Sequence, residues 1–151
     1  MLGVNKADSA MKLHSTIKSL LVPFILTGSI ALASADEQTD QAVTAAKAWL
    51  GLVDAKQYKE SWLEAAPFFK DRVSENDWVK MISLARGPFG DVKSRELKDA
   101  KYATSLPGAP DGAYVVIQFK TSFANKADAI ETITPMKDDK GAWRVSGYFI
   151  K

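Results

Sequence analysis

Three polar residues near the end of the chain, Glu131, Arg144 and Tyr148, have side chains that could bind a polar ligand or transfer a proton. The turn Asp138–Gly141 joins two strand-like runs. Pairing across it places Glu131 opposite Tyr148, with Arg144 further along the same sheet face. A carboxylate in this position could hold a polar ligand or act as a general base beside a hydroxyl donor. The alternative is a solvated cross-strand ion pair or a structural hydrogen bond, worth about 0.5 kcal/mol.

Aromatic residues in the first half of the chain could line a cavity for an apolar ligand. We expect Tyr58 and Trp62 at the mouth of such a cavity, because each has a polar tip that needs a hydrogen-bond partner. Aromatic residues at helical spacing more often form a core, so core packing is the alternative for the whole set. That set comprises Trp49, Tyr58, Trp62, Phe68, Phe69 and Trp78.

Three cations, Arg86, Lys93 and Arg95, lie close together in the sequence and could recognise an anion. The alternative is a solvated edge strand whose cations discourage pairing with another chain. The acidic pair Asp138-Asp139 does not have the spacing of a calcium-binding loop, and a hairpin turn accounts for it.

The chain is unusual in the residues that it lacks. Cysteine is absent, and the only histidine, His14, lies in an N-terminal leader. The remainder therefore cannot form a Ser-His-Asp or Cys-His hydrolase site, a zinc site built from thiolates or imidazoles, or a histidine general base. We accordingly predict no catalytic residue, no metal ligand and no cofactor.

The N-terminus has the features of a secretory signal peptide covering residues 1–35. Two lysines precede an uncharged apolar run of about 14 residues, Leu20–Ala33, which is shorter than the ~20 residues that span a membrane. The run ends in Ala33-Ser34-Ala35, the small-x-small pattern after which signal peptidase cuts. Met11 is an alternative start of translation, and an uncleaved N-terminal anchor is the alternative to cleavage.

Cleavage before Asp36 predicts an exported protein, in a bacterial periplasm or outside the cell, that keeps no membrane anchor. The whole chain has 20 Lys and Arg against 18 Asp and Glu. The leader removes three lysines and one aspartate, so 17 residues of each sign remain. Since no basic cluster survives that could neutralise a row of phosphates, we expect no nucleic-acid partner.

Hydrophobic periodicity predicts three helices in the first half of the mature chain. The first covers residues 41–53, with Ala42, Ala46, Trp49 and Val53 on one face. The second is short, since proline at position 67 disfavours helix just before it. The third begins at a cap formed by Ser74 and ends at Arg86-Gly87-Pro88, where glycine is expected to take the left-handed conformation; one face carries Trp78, Ile82 and Ala85.

Four strands follow, near residues 91–103, 113–123, 130–136 and 142–150. The first is polar and suits a sheet edge, whereas the second alternates Val115, Ile117 and Phe119 with more polar residues. The last strand alternates Trp143, Val145, Gly147 and Phe149 with the residues between them, and we place Trp143 on the side that meets the helices. This order predicts a single α+β domain, residues 36–151, with three N-terminal helices packed on a curved four-stranded antiparallel sheet.

Several short stretches carry a resemblance to the DUF4019 domain family of bacterial exported proteins. They are Ala48-Trp49-Leu50 with Val53-Asp54, Tyr58-Lys59-Glu60-Ser61-Trp62, Arg86-Gly87-Pro88-Phe89-Gly90, Leu106-Pro107-Gly108 with Pro110-Asp111-Gly112, and Glu131-Thr132 with Trp143-Arg144-Val145-Ser146-Gly147-Tyr148. The order of helices and strands also resembles the cone of the NTF2-like superfamily, or cystatin-like cone. The DUF4019 resemblance brings no activity with it.

The expected function is therefore non-catalytic binding of a small molecule or a protein partner, with Glu131, Arg144, Tyr148, Tyr58 and Trp62 as candidate ligand-binding residues. One alternative is a histidine-free NTF2-like enzyme that uses Glu131 with Tyr148 or Arg144. Another is a structural or assembly protein. The number of subunits is open.

Overall fold

A computed structural model describes residues 30–151, with side chains from Ala35 onward. Most of the predicted signal peptide, residues 1–29, lies outside this range. The described chain is an α+β domain whose four strands form one open antiparallel sheet in the order β1-β2-β3-β4. The elements are α1 (Ile30–Asp54), α2 (Tyr58–Leu63), α3 (Pro67–Lys70), α4 (Glu75–Arg86), a 3-10 helix (Gly87–Phe89), β1 (Val92–Ala103), β2 (Tyr114–Phe123), β3 (Lys126–Lys137) and β4 (Trp143–Ile150).

α4 begins where its local chemistry predicts, but the predicted start of α1 at residue 41 was wrong, because α1 begins at Ile30. Ser74 caps α4, because its Oγ accepts a hydrogen bond from the amide of Asp77. The prediction for the end of α4 was wrong in one respect: Gly87 is right-handed, with φ −51°, and the chain continues into the 3-10 helix. The left-handed glycine comes later, at Gly90, with φ +73°. The one-turn helix α3 was also not predicted.

The core lies between α1, α4 and the sheet. All four residues predicted on the inner face of α1 are buried, and Val115, Ile117 and Phe119 of β2 are buried against them as the alternation predicted. On α4, however, the prediction for Ala85 was wrong. Ala85 is exposed, and Arg86 is the buried residue that continues the face of Trp78 and Ile82.

The hairpin between β3 and β4 has the expected turn but not the expected register. Gly141 has φ +81°, and Asp138 Oδ1 accepts hydrogen bonds from the amides of Lys140 and Ala142. The prediction that Glu131 lies opposite Tyr148 was wrong, because Glu131 pairs with Ile150 and Tyr148 pairs with Ile133.

A β-bulge explains part of the difference in register. The partner of Thr134 is Gly147, whereas the partner of Pro135 is Val145, so Ser146 is an extra residue in β4. Proline has no N–H to donate to the ladder, and bulges are common at such positions. Beyond the bulge, the side chains of β4 lie on the faces opposite to those that a strict alternation from Trp143 predicts. Val145 stays buried, but Phe149 is 61% exposed, which contradicts its predicted place on one face with Trp143.

Trp143 itself lies where it was predicted, packed against the buried core. Its indole Nε1 is buried and has no hydrogen-bond partner among the described residues. None of the helices in residues 30–151 is both long and apolar enough to cross a membrane.

Candidate functional site

The most unusual residue of the core is Glu131, whose carboxylate is fully buried. Glu131 lies in β3 between two core-facing residues, Ala129 and Ile133, so the period of the strand carries it inward. Its two oxygens accept five hydrogen bonds, over donor–acceptor distances of 2.6 to 3.3 Å. The donors are one nitrogen of Arg86, two nitrogens of Arg95, and the hydroxyls of Thr121 and Tyr148.

A second carboxylate, Asp54, completes the arrangement from the last residue of α1. Its Oδ1 accepts from Arg86 Nη2 at 2.7 Å and from Arg95 Nη2 at 3.0 Å, and its Oδ2 accepts from Arg95 Nη1 at 2.7 Å. We call Asp54, Arg86, Arg95 and Glu131 the charge cluster. It joins α1, α4, β1 and β3, and its two positive and two negative charges balance.

The environment of the cluster favours the charged forms of Asp54 and Arg95. Burial opposes ionisation of Asp54, but hydrogen bonds from Arg95 and Arg86 outweigh burial and hold its pKa below the ordinary value. Burial likewise works against the charge of Arg95, whereas its hydrogen bonds to Asp54 and Glu131 raise its pKa. Because a buried charge that loses its partner is strongly unfavourable, the four residues depend on one another.

Tyr148 meets the cluster from β4, on the helix side to which the bulge has turned it. Its hydroxyl donates to Glu131 Oε1 at 2.8 Å and accepts from Arg86 Nη1 at 3.2 Å. Its ring packs against Trp49 and Trp78, with centroids 5.7 and 6.5 Å apart. Burial and the negative charge of Glu131 raise the pKa of the phenol, so Tyr148 remains a hydrogen-bond donor at neutral pH.

Arg144 does not join Glu131 and Tyr148, so the prediction that the three share a sheet face was wrong for Arg144. Its Nε donates to Asp138 at 2.9 Å and its Nη1 to Glu64 at 3.0 Å, which ties the β3–β4 turn to the end of α2. The hydrogen bond to Asp138 raises the pKa of Arg144. The bulge separates Arg144 from Tyr148, because the residues on its two sides pair with β3 in different registers.

Tyr58 and Trp62 lie apart from Glu131 and pack against the core from α2. The indole of Trp62 donates to the carbonyl of Val73 at 2.7 Å, which satisfies its polar tip within the protein. Tyr58 borders a small polar cavity next to Asp54 and Arg86. Of the five predicted ligand-binding residues, the structure thus brings together only Glu131 and Tyr148.

Sequence reasoning assigned no role to Asp54 or to Thr121. The alternative of a solvated edge was wrong for Arg95, whose side chain is only 14% exposed, whereas Lys93 is exposed as that alternative predicts. One signal was available: Arg86 follows Trp78 and Ile82 at intervals of four residues, which places it on the buried face of α4.

One opening adjoins the charge cluster, and another adjoins Tyr148. The polar cavity next to Asp54 and Arg86 has a volume of about 70 Å³. On the other side of Tyr148, an apolar groove of about 200 Å³ runs between α4 and β4. We call it the α4–β4 groove, and its walls are Trp78, Met81, Ile82, Ala85, Tyr148, Phe149 and Ile150.

The geometry of the cluster favours a positioning role over a chemical one. Each oxygen of Glu131 already accepts at least two hydrogen bonds, so neither has a free lone pair aimed at a substrate. No group of three or more acidic, histidine or cysteine residues that could hold a metal ion occurs within residues 30–151.

The fold and the cluster define a small α+β domain in which a buried ion-pair network holds the helices on an open sheet. The chain belongs to the family described as "Protein of unknown function (DUF4019)", whose family profile matches residues 45–148. The matched range includes every residue of the charge cluster and Tyr148. No curated protein matches the sequence.

Proposed function

We propose that this chain is an exported, non-catalytic binding protein whose α4–β4 groove receives an extended segment of a protein partner. In this proposal residues 1–35 are a cleaved signal peptide. The mature domain, residues 36–151, then acts in a bacterial periplasm or outside the cell. The order of its elements supports an NTF2-like cone.

The observation that carries the proposal is the apolar groove beside an edge strand. Phe149 is 61% exposed and Met81 is 54% exposed, and both border the groove. Exposed apolar residues grouped around a concave surface are typical of interaction sites. On α4, Leu84 extends the apolar surface, with 78% exposure.

The position of β4 indicates which shape of partner fits. β4 is the last strand of the sheet, so β3 pairs with only one of its edges. The other edge is occupied near its start, where the amide of Ala66 donates to the carbonyl of Val145 at 2.8 Å. Further along, the edge faces the groove, where an extended peptide could add its own backbone hydrogen bonds and place alternate side chains against α4.

The charge cluster supports this role by holding one wall of the groove. The Tyr148 hydroxyl is held by Glu131 and Arg86, and its ring borders the groove. The catalytic alternative requires Glu131 as a free base, and its engaged oxygens speak against that role.

The test is selection of peptides from a random library on the purified protein. We expect the selected peptides to alternate apolar and polar residues. Phe149→Asp should weaken their binding by about 2 kcal/mol, a typical loss at a central contact. Leu97→Asp is the matched control, because Leu97 is 49% exposed on the opposite edge strand and should leave binding unchanged.

Hydrogen exchange then locates the bound peptide. Slower exchange at the amides of Tyr148 and Ile150 on peptide binding would support strand addition. A library that yields no binder, or binders that are indifferent to Phe149→Asp, would contradict the proposal.

A further inference from the structure

The open part of the β4 edge lacks the features that keep sheet edges from pairing with other chains. At the opposite edge of the sheet, β1 has two register irregularities and exposed charged residues, among them Lys93, Lys98 and Lys101. Charges and bulges of this kind discourage edge pairing. From Gly147 to Ile150, by contrast, β4 has no charged residue, and Phe149 is 61% exposed. This part of β4 is therefore suited to pairing with another strand.

The hydrogen bonds between β3 and β4 show which backbone groups of β4 are free. Lys151 and Ile130 exchange two hydrogen bonds, of 2.9 and 3.1 Å. Because such pairs alternate along an antiparallel ladder, Phe149 also turns its N–H and C=O towards β3. The N–H and C=O groups of Tyr148 and Ile150 therefore point away from β3, towards the free edge.

The free groups fix the register in which a second β4 strand can pair. Near the start of β4, the Val145 carbonyl already accepts from the amide of Ala66, so a partner strand must lie beyond this point. A second copy of β4 that runs antiparallel to the first satisfies the free groups when Tyr148 of each copy lies opposite Ile150 of the other. In this register Phe149 lies on the two-fold axis, opposite its own copy.

Side chains on both faces of the sheet fit this arrangement. On the outer face, Gly147 is the diagonal neighbour of Phe149 of the second copy. A Cβ added at Gly147 would meet only the Cβ of Thr134 within 4 Å, at 3.9 Å, so the glycine leaves room for that ring. On the helix face, Met81 borders the α4–β4 groove, and both Met81 and Leu84 are exposed. A second copy would therefore find apolar surface on both sides of the paired strands.

From the free backbone groups, the uncharged edge and the symmetric register, we infer that the chain forms a two-fold dimer in which two β4 strands pair. The pairing joins the two four-stranded sheets into one. The inference rests on the function proposed for the α4–β4 groove and names the partner, which is a second copy of this chain. Because a two-fold contact uses the same edge of both copies, it closes and gives a dimer, not a fibre.

Sedimentation equilibrium of the purified protein over a range of concentrations measures the association. We expect a monomer–dimer equilibrium that reaches twice the monomer mass. Phe149→Asp should raise the dissociation constant at least about 30-fold, because the dimer loses its central aromatic contact and gains two like charges on its axis. Leu97→Asp is the matched control: Leu97 is a 49% exposed apolar residue of the other edge strand, and its replacement should leave the dissociation constant unchanged.

Two further variants test the register. Gly147→Val should weaken the dimer about tenfold, because the added side chain fills the space that the Phe149 ring requires. Phe149→Cys introduces the only cysteine of the chain, and residues that oppose each other at such a position have Cα atoms about 4.5 Å apart, within disulfide range. With oxidised glutathione as the electron acceptor, Phe149→Cys should cross-link much faster than Leu97→Cys, and the bond captures even a weakened dimer.

The outcomes separate this inference from the proposed function. A protein that remains monomeric at every concentration would overturn the inference. If that monomer still binds selected peptides at Phe149, the groove has a different partner and the proposed function stands; if it binds none, both fail. A dimer that tolerates Phe149→Asp would place the contact elsewhere and contradict β4 pairing, as would equal cross-linking of Phe149→Cys and Leu97→Cys.

Discussion

Replacing Glu131 with glutamine tests the central claim about this fold, that a buried charge cluster joins its layers. Glu131 is 0% exposed and accepts five hydrogen bonds. Glutamine has nearly the same shape but no charge, so Arg86 and Arg95 would be left with Asp54 as their only anionic partner. The cluster would then carry one uncompensated positive charge.

The magnitude follows from the geometry. The amide nitrogen of glutamine must occupy one of the two oxygen positions, and donors converge on both. At the Oε2 position, the Thr121 hydroxyl can rotate to accept, but Arg95 Nε, at 2.7 Å, can only donate. Breaking one partner of a buried ion pair typically costs 3–5 kcal/mol, and we expect Glu131→Gln to lose about that much unfolding free energy.

Urea unfolding followed by tryptophan fluorescence provides the assay, since the chain has four tryptophans. Glu96→Gln is the matched control: Glu96 is exposed on β1 and lies opposite Lys120, so its loss should stay within about 0.5 kcal/mol. Adding Arg95→Met to Glu131→Gln removes the excess charge, and the double variant should be more stable than the sum of the two single effects implies. A loss below about 1 kcal/mol for Glu131→Gln would refute the reasoning, because only a solvated pair is that weak.

Four further predictions concern the same framework. The pKa of Asp54 is lowered in the folded state. The stability that Asp54 contributes is therefore fully present at pH values well above its ordinary pKa of 3.8 and is lost as the pH falls below 3.8. Asp54→Asn should flatten this part of a plot of unfolding free energy against pH. Tyr148→Phe removes a hydroxyl that both donates and accepts, and should cost about 1–3 kcal/mol in urea unfolding; an unchanged midpoint would show that the hydroxyl contributes nothing. Trp143→Ala should cost about 3 kcal/mol, and a loss below about 1 kcal/mol would mean that the indole is not part of the core. N-terminal sequencing of exported protein should begin at Asp36 or within about two residues of it, and a retained Met1 or Met11 would contradict cleavage.

Buried ion pairs are not in themselves efficient stabilisers, because removing charges from water offsets much of their attraction. The charge cluster instead favours one arrangement of α1 and α4 on the sheet. Arg86 from α4 and Arg95 from β1 each contact both Asp54 and Glu131, so a shift of α1 or β3 would leave a buried charge unpaired. We expect this specificity to matter most for Tyr148, which must stay fixed to form a wall of the α4–β4 groove.

The sequence by itself determined the α+β class, the α1 face, the strands and the turn at Gly141. These features depend on hydrophobic periodicity and on turn-forming residues, and both are determined by residues that lie close together in the sequence. The inner face of α1 repeats with helical spacing, and the residues of β2 alternate with period two. The family could likewise be recognised from stretches of a few adjacent residues, and the match to residues 45–148 confirmed it.

Only the tertiary structure decided which charges meet. Asp54 and Arg86 are 32 residues apart, and Arg86 and Glu131 are 45 apart, so no local pattern links them. The bulge at Ser146 changed the register of β4 by one residue beyond Pro135, and in a strand a shift of one residue moves every following side chain to the other face. That shift placed Tyr148 on the face of Glu131, in a different register from the predicted one, and exposed Phe149. Arg144 lies before the bulge and contacts Asp138. Periodicity cannot place an inserted residue, because the choice depends on how the two strands and the helices above them fit together.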